Sequence, residues 1–118
     1  MKYIITESKI NKFVSMYLDS KDFIKMGELM DREEFELTEG NGGELIFQYR
    51  ADRSLTMPGI MFYTLYVNDE LVMQIIRMFG IDVYDAIRAI IDWFNKKYNK
   101  KLTEHDFEYL PDNNEYDD

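Results

Sequence analysis

The side chain best suited to moving a proton at neutral pH is His105, the one histidine among 118 residues, set between Glu104 and Asp106. Imidazole changes charge near neutrality, so a histidine oriented by a carboxylate can serve as a general base. That work also needs an orienting partner and a substrate pocket, and a lone histidine among acids is far better explained as a solvated surface residue. There is no cysteine, so thiol nucleophiles, disulfides and thiolate metal sites are excluded, and one histidine cannot complete a zinc set. The residues therefore predict no enzyme, no catalytic residue and no cofactor.

Three further patterns could carry chemistry. Gly40-Asn41-Gly42-Gly43 has the glycine content of a phosphate loop. A phosphate loop, however, follows a strand, opens a helix and carries a Lys or Ser/Thr, whereas Glu39 and Glu44 flank this one and would repel phosphate. A hairpin turn fits it better. The acids Asp31, Glu33, Glu34 and Glu36, and again Asp112, Glu115, Asp117 and Asp118, are oxygen donors for a hard cation. Neither set has the alternate spacing around a central glycine that calcium loops use, so both read as solvated charge, and no metal site is predicted. Phe47, Tyr49, Phe62 and Tyr63 with Arg50 and Arg53 are the ingredients of a stacking platform for single-stranded nucleic acid. No RNP-like motif accompanies them, and the net charge of −9 opposes phosphate binding.

That charge is unevenly placed. Glu104–Asp118 holds seven acids and no base, while residues 1–103 carry sixteen acids against fourteen bases. The acidic segment follows a basic cluster, Lys96-Lys97-Tyr98-Asn99-Lys100-Lys101. Like-charge blocks are commonly solvated interaction tails, and a row of acids can imitate a phosphate backbone toward a basic partner. The same tail could instead fold back and mask its own lysines. At 46% hydrophobic and 15% aromatic, the chain has ample material for one core. One domain is expected over residues 1–110 with an acidic tail at 111–118. Polar residues follow Met1–Ile5 directly, and the longest apolar stretch, Ile60–Val67, is far short of a membrane span of ~20 residues. A cytoplasmic protein with no membrane partner is predicted.

The elements that must position these residues can be read from periodicity. Tyr3-Ile4-Ile5 reads as a short strand or extended lead-in, and Thr6 as a helix cap. Ile10, Phe13, Val14, Tyr17 and Leu18 then recur at helical spacing. Phe23–Met30 is ambiguous. Phe35 and Leu37, then Leu45, Phe47 and Tyr49, alternate as two hairpin strands, and a three-residue loop would set Phe35 opposite Phe47 and Leu37 opposite Leu45. Residues 50–54 read as a loop. Ile60–Val67 is a third strand, apolar on both faces, with Met61, Tyr63 and Leu65 on one of them: either a central strand covered on both sides or a strand with one face at an interface.

Asn68 caps a helix over Asp69–Phe79 that Gly80 stops. The alternative is a hairpin with Leu71–Ile76 as a fourth strand. Asp82 caps the clearest helix, whose apolar stripe is Val83, Ile87, Ile90, Ile91, Phe94 and Tyr98, with Trp93 at its edge where it could meet a partner. Thr103-Glu104-His105-Asp106 resembles a capping box. The predicted class is α+β in the order α-β-β-β-α-α: a three-stranded antiparallel sheet covered by an N-terminal and two C-terminal helices through Phe13, Tyr17, Ile75, Ile87, Ile91 and Phe94.

The opening Lys2-Tyr3-Ile4-Ile5-Thr6-Glu7-Ser8-Lys9, running into a helix that ends Tyr17-Leu18-Asp19, resembles small uncharacterised proteins of tailed bacteriophages. The stretch Tyr66–Tyr98, with Phe79-Gly80 and Ile90-x-x-Trp93-Phe94, resembles them more loosely. The resemblance implies a viral origin, expression in a bacterial cytoplasm, and a role as a host-modulating factor or minor virion component. It carries no site residue. Together these readings point to a non-catalytic protein-binding factor. Its candidate contacts are Met61, Tyr63, Leu65, Trp93, Asp112, Glu115, Asp117 and Asp118, and its partner is a host or phage protein or a second copy. A structural or assembly protein is the alternative, and single-stranded nucleic-acid binding a third.

Overall fold

The helices begin and end where local chemistry dictates. Asn68 Oδ1 accepts the N–H groups of Glu70 (2.8 Å) and Leu71 (3.3 Å), satisfying two donors at the start of a helix. Gly80 ends that helix in the left-handed region at φ 62°, with its N–H on the Ile76 carbonyl. Asp82 caps the next helix on Asp85 N–H, and Asn99 closes it in the same left-handed conformation. The helical reading of Asp69–Phe79 therefore holds over the hairpin alternative.

The computed structural model describes residues 7–29, 33–40 and 43–111. Its order is α1 (Glu7–Ser20), β1 (Ile24–Leu29), β2 (Glu34–Thr38), β3 (Leu45–Arg53), β4 (Met61–Val67), α2 (Asp69–Phe79), α3 (Val83–Tyr98), a 3₁₀ turn (Glu104–Asp106) and β5 (Phe107–Tyr109). The lead-in Tyr3–Ile5, the Thr6 cap and the acids 112–118 lie outside the described residues.

The α+β class is as predicted, but the sheet has five strands in the order β1-β2-β3-β4-β5 rather than three. Neighbours are antiparallel except β4 and β5, which are parallel, so the sheet is mixed. Two strands were not expected. Ile24–Leu29 has charged and glycine residues breaking its alternation, and its register shifts between Met26 and Leu29 around Gly27 at φ 62°. Phe107–Tyr109 is too short to show a period, and only its pairing with β4 makes it a strand. The stretch 50–53, expected as loop, continues β3, since Asp52 and Arg53 pair with Phe62 and Met61.

The hairpin register is offset by two residues from expectation: Phe35 faces Tyr49 and Leu37 faces Phe47. The ladder closes on the Glu39 N–H to Glu44 carbonyl bond at 2.9 Å, which leaves four residues in the loop instead of three. Ile46 is then the extra residue between two register positions. A slip of two keeps Phe35, Leu37, Phe47 and Tyr49 on the core face, while the irregularity beside Leu45 brings Ile46 into the core and leaves Leu45 only partly buried.

One sheet face and the helices enclose the core. Phe35, Leu37, Phe47, Tyr49, Leu65 and Val67 meet Leu71, Val72 and Ile75 of α2 and Ile90, Trp93 and Phe94 of α3. α1 packs chiefly on α3 and adds Ile10, Val14 and Leu18. Phe13, expected against the sheet, is instead substantially exposed, while Tyr17 turns sideways to hydrogen-bond Gln74 of α2 at 3.1 Å. Burial pushes the phenols of Tyr49 and Tyr98 above the usual tyrosine range. Glu33, Tyr63 and Asp106 add to the effect at Tyr49, and Asp19 adds to it at Tyr98. A raised folded-state pKa means the unfolded chain releases these protons first. Stability is therefore expected to be intact below about pH 10 and to fall progressively above it. Denaturant titrations from neutral to alkaline pH check this. The paired Tyr49→Phe and Tyr98→Phe variant should show a flatter alkaline decline.

Candidate functional site

The predicted contact residues do not form one surface. Leu65 is fully buried beneath the helices, and Trp93, 2% exposed, is core rather than flank. Its indole N–H donates to Asp19 Oδ1 at 2.9 Å, and its ring lies between Phe23, Phe47 and Tyr98. Tyr63 stacks on Tyr49 at 5.7 Å and is half-buried, as is Met61. The expectation of an open apolar face at Met61, Tyr63 and Leu65 is therefore corrected. That face is the one the helices cover, because the odd-numbered residues of β4 share a side with Phe47 and Tyr49. Asp112, Glu115, Asp117 and Asp118 lie outside the described residues.

The opposite sheet face is the open one, and it is mixed rather than apolar. Glu36, Gln48, Arg50, Asp52, Phe62, Thr64 and Tyr66 alternate across β2, β3 and β4. Arg50 lies 3.8 Å from Glu34 and 4.0 Å from Asp52. A shallow depression of about 430 Å³ between Gly27, Leu29, Glu34, Glu36, Gln48 and Arg50 marks this face.

The basic cluster is also engaged. Lys96 pairs with Asp92 (3.0 Å), Lys97 with Asp19 (3.4 Å) and Lys100 with Glu33 (3.3 Å). Lys100 also sits over the Tyr49 ring. Acids of the folded body answer these charges. His105 is exposed on the 3₁₀ turn, where Thr103 and Asp106 form the predicted capping box and Glu104 holds Arg88 at 3.2 Å. Of the acids singled out for a cation, Glu33 and Glu34 face Lys100 and Arg50, and Asp31 lies outside the described residues. Among the described residues no group of His, Cys, Asp or Glu is arranged to hold a metal, and no helix is long and apolar enough to cross a membrane.

Sequence reasoning missed the most exposed apolar feature, the tip joining β3 to β4. Leu55 is fully exposed, and Met57, Ile60 and Phe62 are 49%, 42% and 54% exposed. The tip is nevertheless ordered by its own hydrogen bonds. Ser54 N–H donates to the Ile60 carbonyl (2.9 Å), Ser54 Oγ accepts from Thr56 and Met57 N–H, and Ile60 N–H reaches the Met57 carbonyl. Gly59 sits at φ 85°, a conformation a side chain would strain. The signal was available: Ser54–Asn68 is fifteen residues without a charge in a chain of net −9. A strand apolar on both faces suits either a doubly covered strand or an interface, and the interface expectation falls on Met61, Tyr63 and Leu65 rather than on the tip.

No family model, no curated protein and no solved structure matches this chain.

Proposed function

We propose that this protein is a non-catalytic binding factor that engages a protein partner through the β3–β4 hairpin tip. One observation carries the reading: Leu55, Met57 and Ile60 stand in solvent on a turn already locked by Ser54. Clustered exposed apolar side chains mark interaction sites. A turn pre-set in its bound shape loses little conformational freedom on association. The resemblance of the N-terminal segment to small phage proteins supports a host-modulating role in a bacterial cytoplasm. The acids at 112–118 would add attraction toward a basic partner, strongest at low salt.

Nucleic-acid binding through the open face is the weaker reading, because Arg50 already faces two carboxylates there. The test is capture from bacterial lysate with four forms: the intact chain, the Leu55→Glu/Met57→Glu variant, a form ending at Pro111, and both changes together. A specific partner should be retained by the intact chain and lost, by at least about tenfold, with the tip variant. The truncated form should show weaker, less salt-sensitive capture. If all four forms retain the same proteins equally, neither the tip nor the tail is the contact.

A further inference from the structure

The two edges of the sheet are protected very differently. At β1, a bulge at Gly27 and the charges of Lys25 and Glu28 blunt the edge, as soluble sheets usually require. At the other edge, among the described residues, β5 pairs only with Leu65–Val67 of β4 and leaves Met61–Thr64 without a strand partner, the 3₁₀ turn at Glu104–Asp106 lying near β4 without pairing with it. The direction of the backbone groups there follows from the ladder. Ser54 N–H bonds Ile60 O, and Asn68 N–H bonds Ile46 O, so the even-numbered residues of β4 address β3. The N–H and C=O groups of Met61 and Tyr63 therefore point away from β3, toward the edge that no described strand pairs with. The segment around them, Ser54–Asn68, has no charge. Its β-branched and aromatic content and lack of charge are what strand addition favours.

We propose that two copies of this chain pair antiparallel through the free edge of β4, joining two five-stranded sheets into one of ten strands. The two-fold register that uses all the free groups sets Met61 opposite Tyr63 of the second copy, giving four backbone hydrogen bonds. Phe62 then faces its own counterpart at the centre, on the open side, as a close non-hydrogen-bonded pair.

A second copy suits the site for two reasons. Copies of a chain carrying −9 repel one another, and this uncharged stretch is where they can approach without placing like charges in contact. The accessible edge is also bounded. An antiparallel strand laid on it would meet β5 once past Thr64, and this chain's own strand turns away there, at Gly59 and Ile60, toward its β3. The pairing does not depend on the hairpin tip having a protein partner.

Sedimentation equilibrium of the full chain across about 1–500 µM tests this. The average mass should rise with concentration from 14.2 kDa toward twice that value and stop there. Phe62→Lys puts two like charges opposite each other at the centre and should weaken association at least about tenfold. Met61→Pro removes an outward N–H that β3 does not use, so the monomer keeps its ladder while dimerisation falls similarly. Phe62 is exposed, so Phe62→Lys folds and decides the matter by itself if the proline variant does not. A chain that stays at one copy throughout overturns the proposal. So does a dimer that Phe62→Lys leaves unchanged, or growth beyond two copies.

Discussion

Phe94→Ala is expected to remove about 3–5 kcal/mol of folding stability, a large share of the roughly 5–15 kcal/mol that holds a domain together. Phe94 is fully buried and is the ring on which the aromatic core converges. It stacks on Phe35 at 5.7 Å with ring planes 14° apart. It also meets Tyr49 at 5.4 Å, Tyr98 at 4.9 Å, and Phe47 and Trp93 at slightly longer range. Truncation removes the buried ring surface and leaves a cavity walled by stiff rings from two strands and one helix, which collapse poorly. Phe94→Leu keeps part of the volume and should cost clearly less. Urea unfolding followed by circular dichroism checks the ranking. A Phe94→Ala midpoint close to that of the parent would mean the ring cluster is not the core.

Trp93→Ala is expected to cost a similar amount, about 3–5 kcal/mol, and to act through folding rather than through contact with a partner. The side chain ties three elements together: its own helix, α1 through Asp19, and the segment leading to β1 through Phe23. Asp19→Ala removes only the acceptor, and because that carboxylate is largely exposed and shared with Lys97, the loss should be smaller, about 1 kcal/mol. As the chain's one tryptophan, Trp93 reports directly on its surroundings. Native emission should be blue-shifted and resistant to quenching by iodide, and it should move to the red on unfolding. Strong quenching of the native protein would place the indole at the surface, where a partner could reach it.

Much of the architecture was legible because its signals are local. Asn68, Gly80, Asp82 and the Thr103–Asp106 capping box act within one helical turn, so residue type and spacing were enough to place them. The two-residue offset in the hairpin left Phe35, Leu37, Phe47 and Tyr49 in the core because strand faces repeat every second residue, and only the bulged end exchanged Leu45 for Ile46. The failures share a different cause. β5 has no period of its own and exists only by pairing with β4, 42 residues earlier at Leu65 and Phe107. Met61, Tyr63, Leu65 and Trp93 were apolar in ways that suited either a core or an interface, and composition does not distinguish the two.

What the sequence by itself determined is the α+β class, the helix boundaries, the hairpin, and the separation of a nearly neutral body from an acidic end. These follow from short-range hydrogen bonding and from the period of apolar residues along the chain. Only the tertiary structure decided which face of β4 is covered, that Trp93 belongs to the core, and that Lys96, Lys97 and Lys100 meet acids brought from elsewhere. It also decided that Leu55, Met57, Ile60 and Phe62 stand exposed together at the β3–β4 tip. The physical reason is that burial and pairing depend on which elements meet, and the helices cover one side of the sheet only. An apolar residue's type shows that it gains by leaving water, but not whether this chain or another molecule provides the cover.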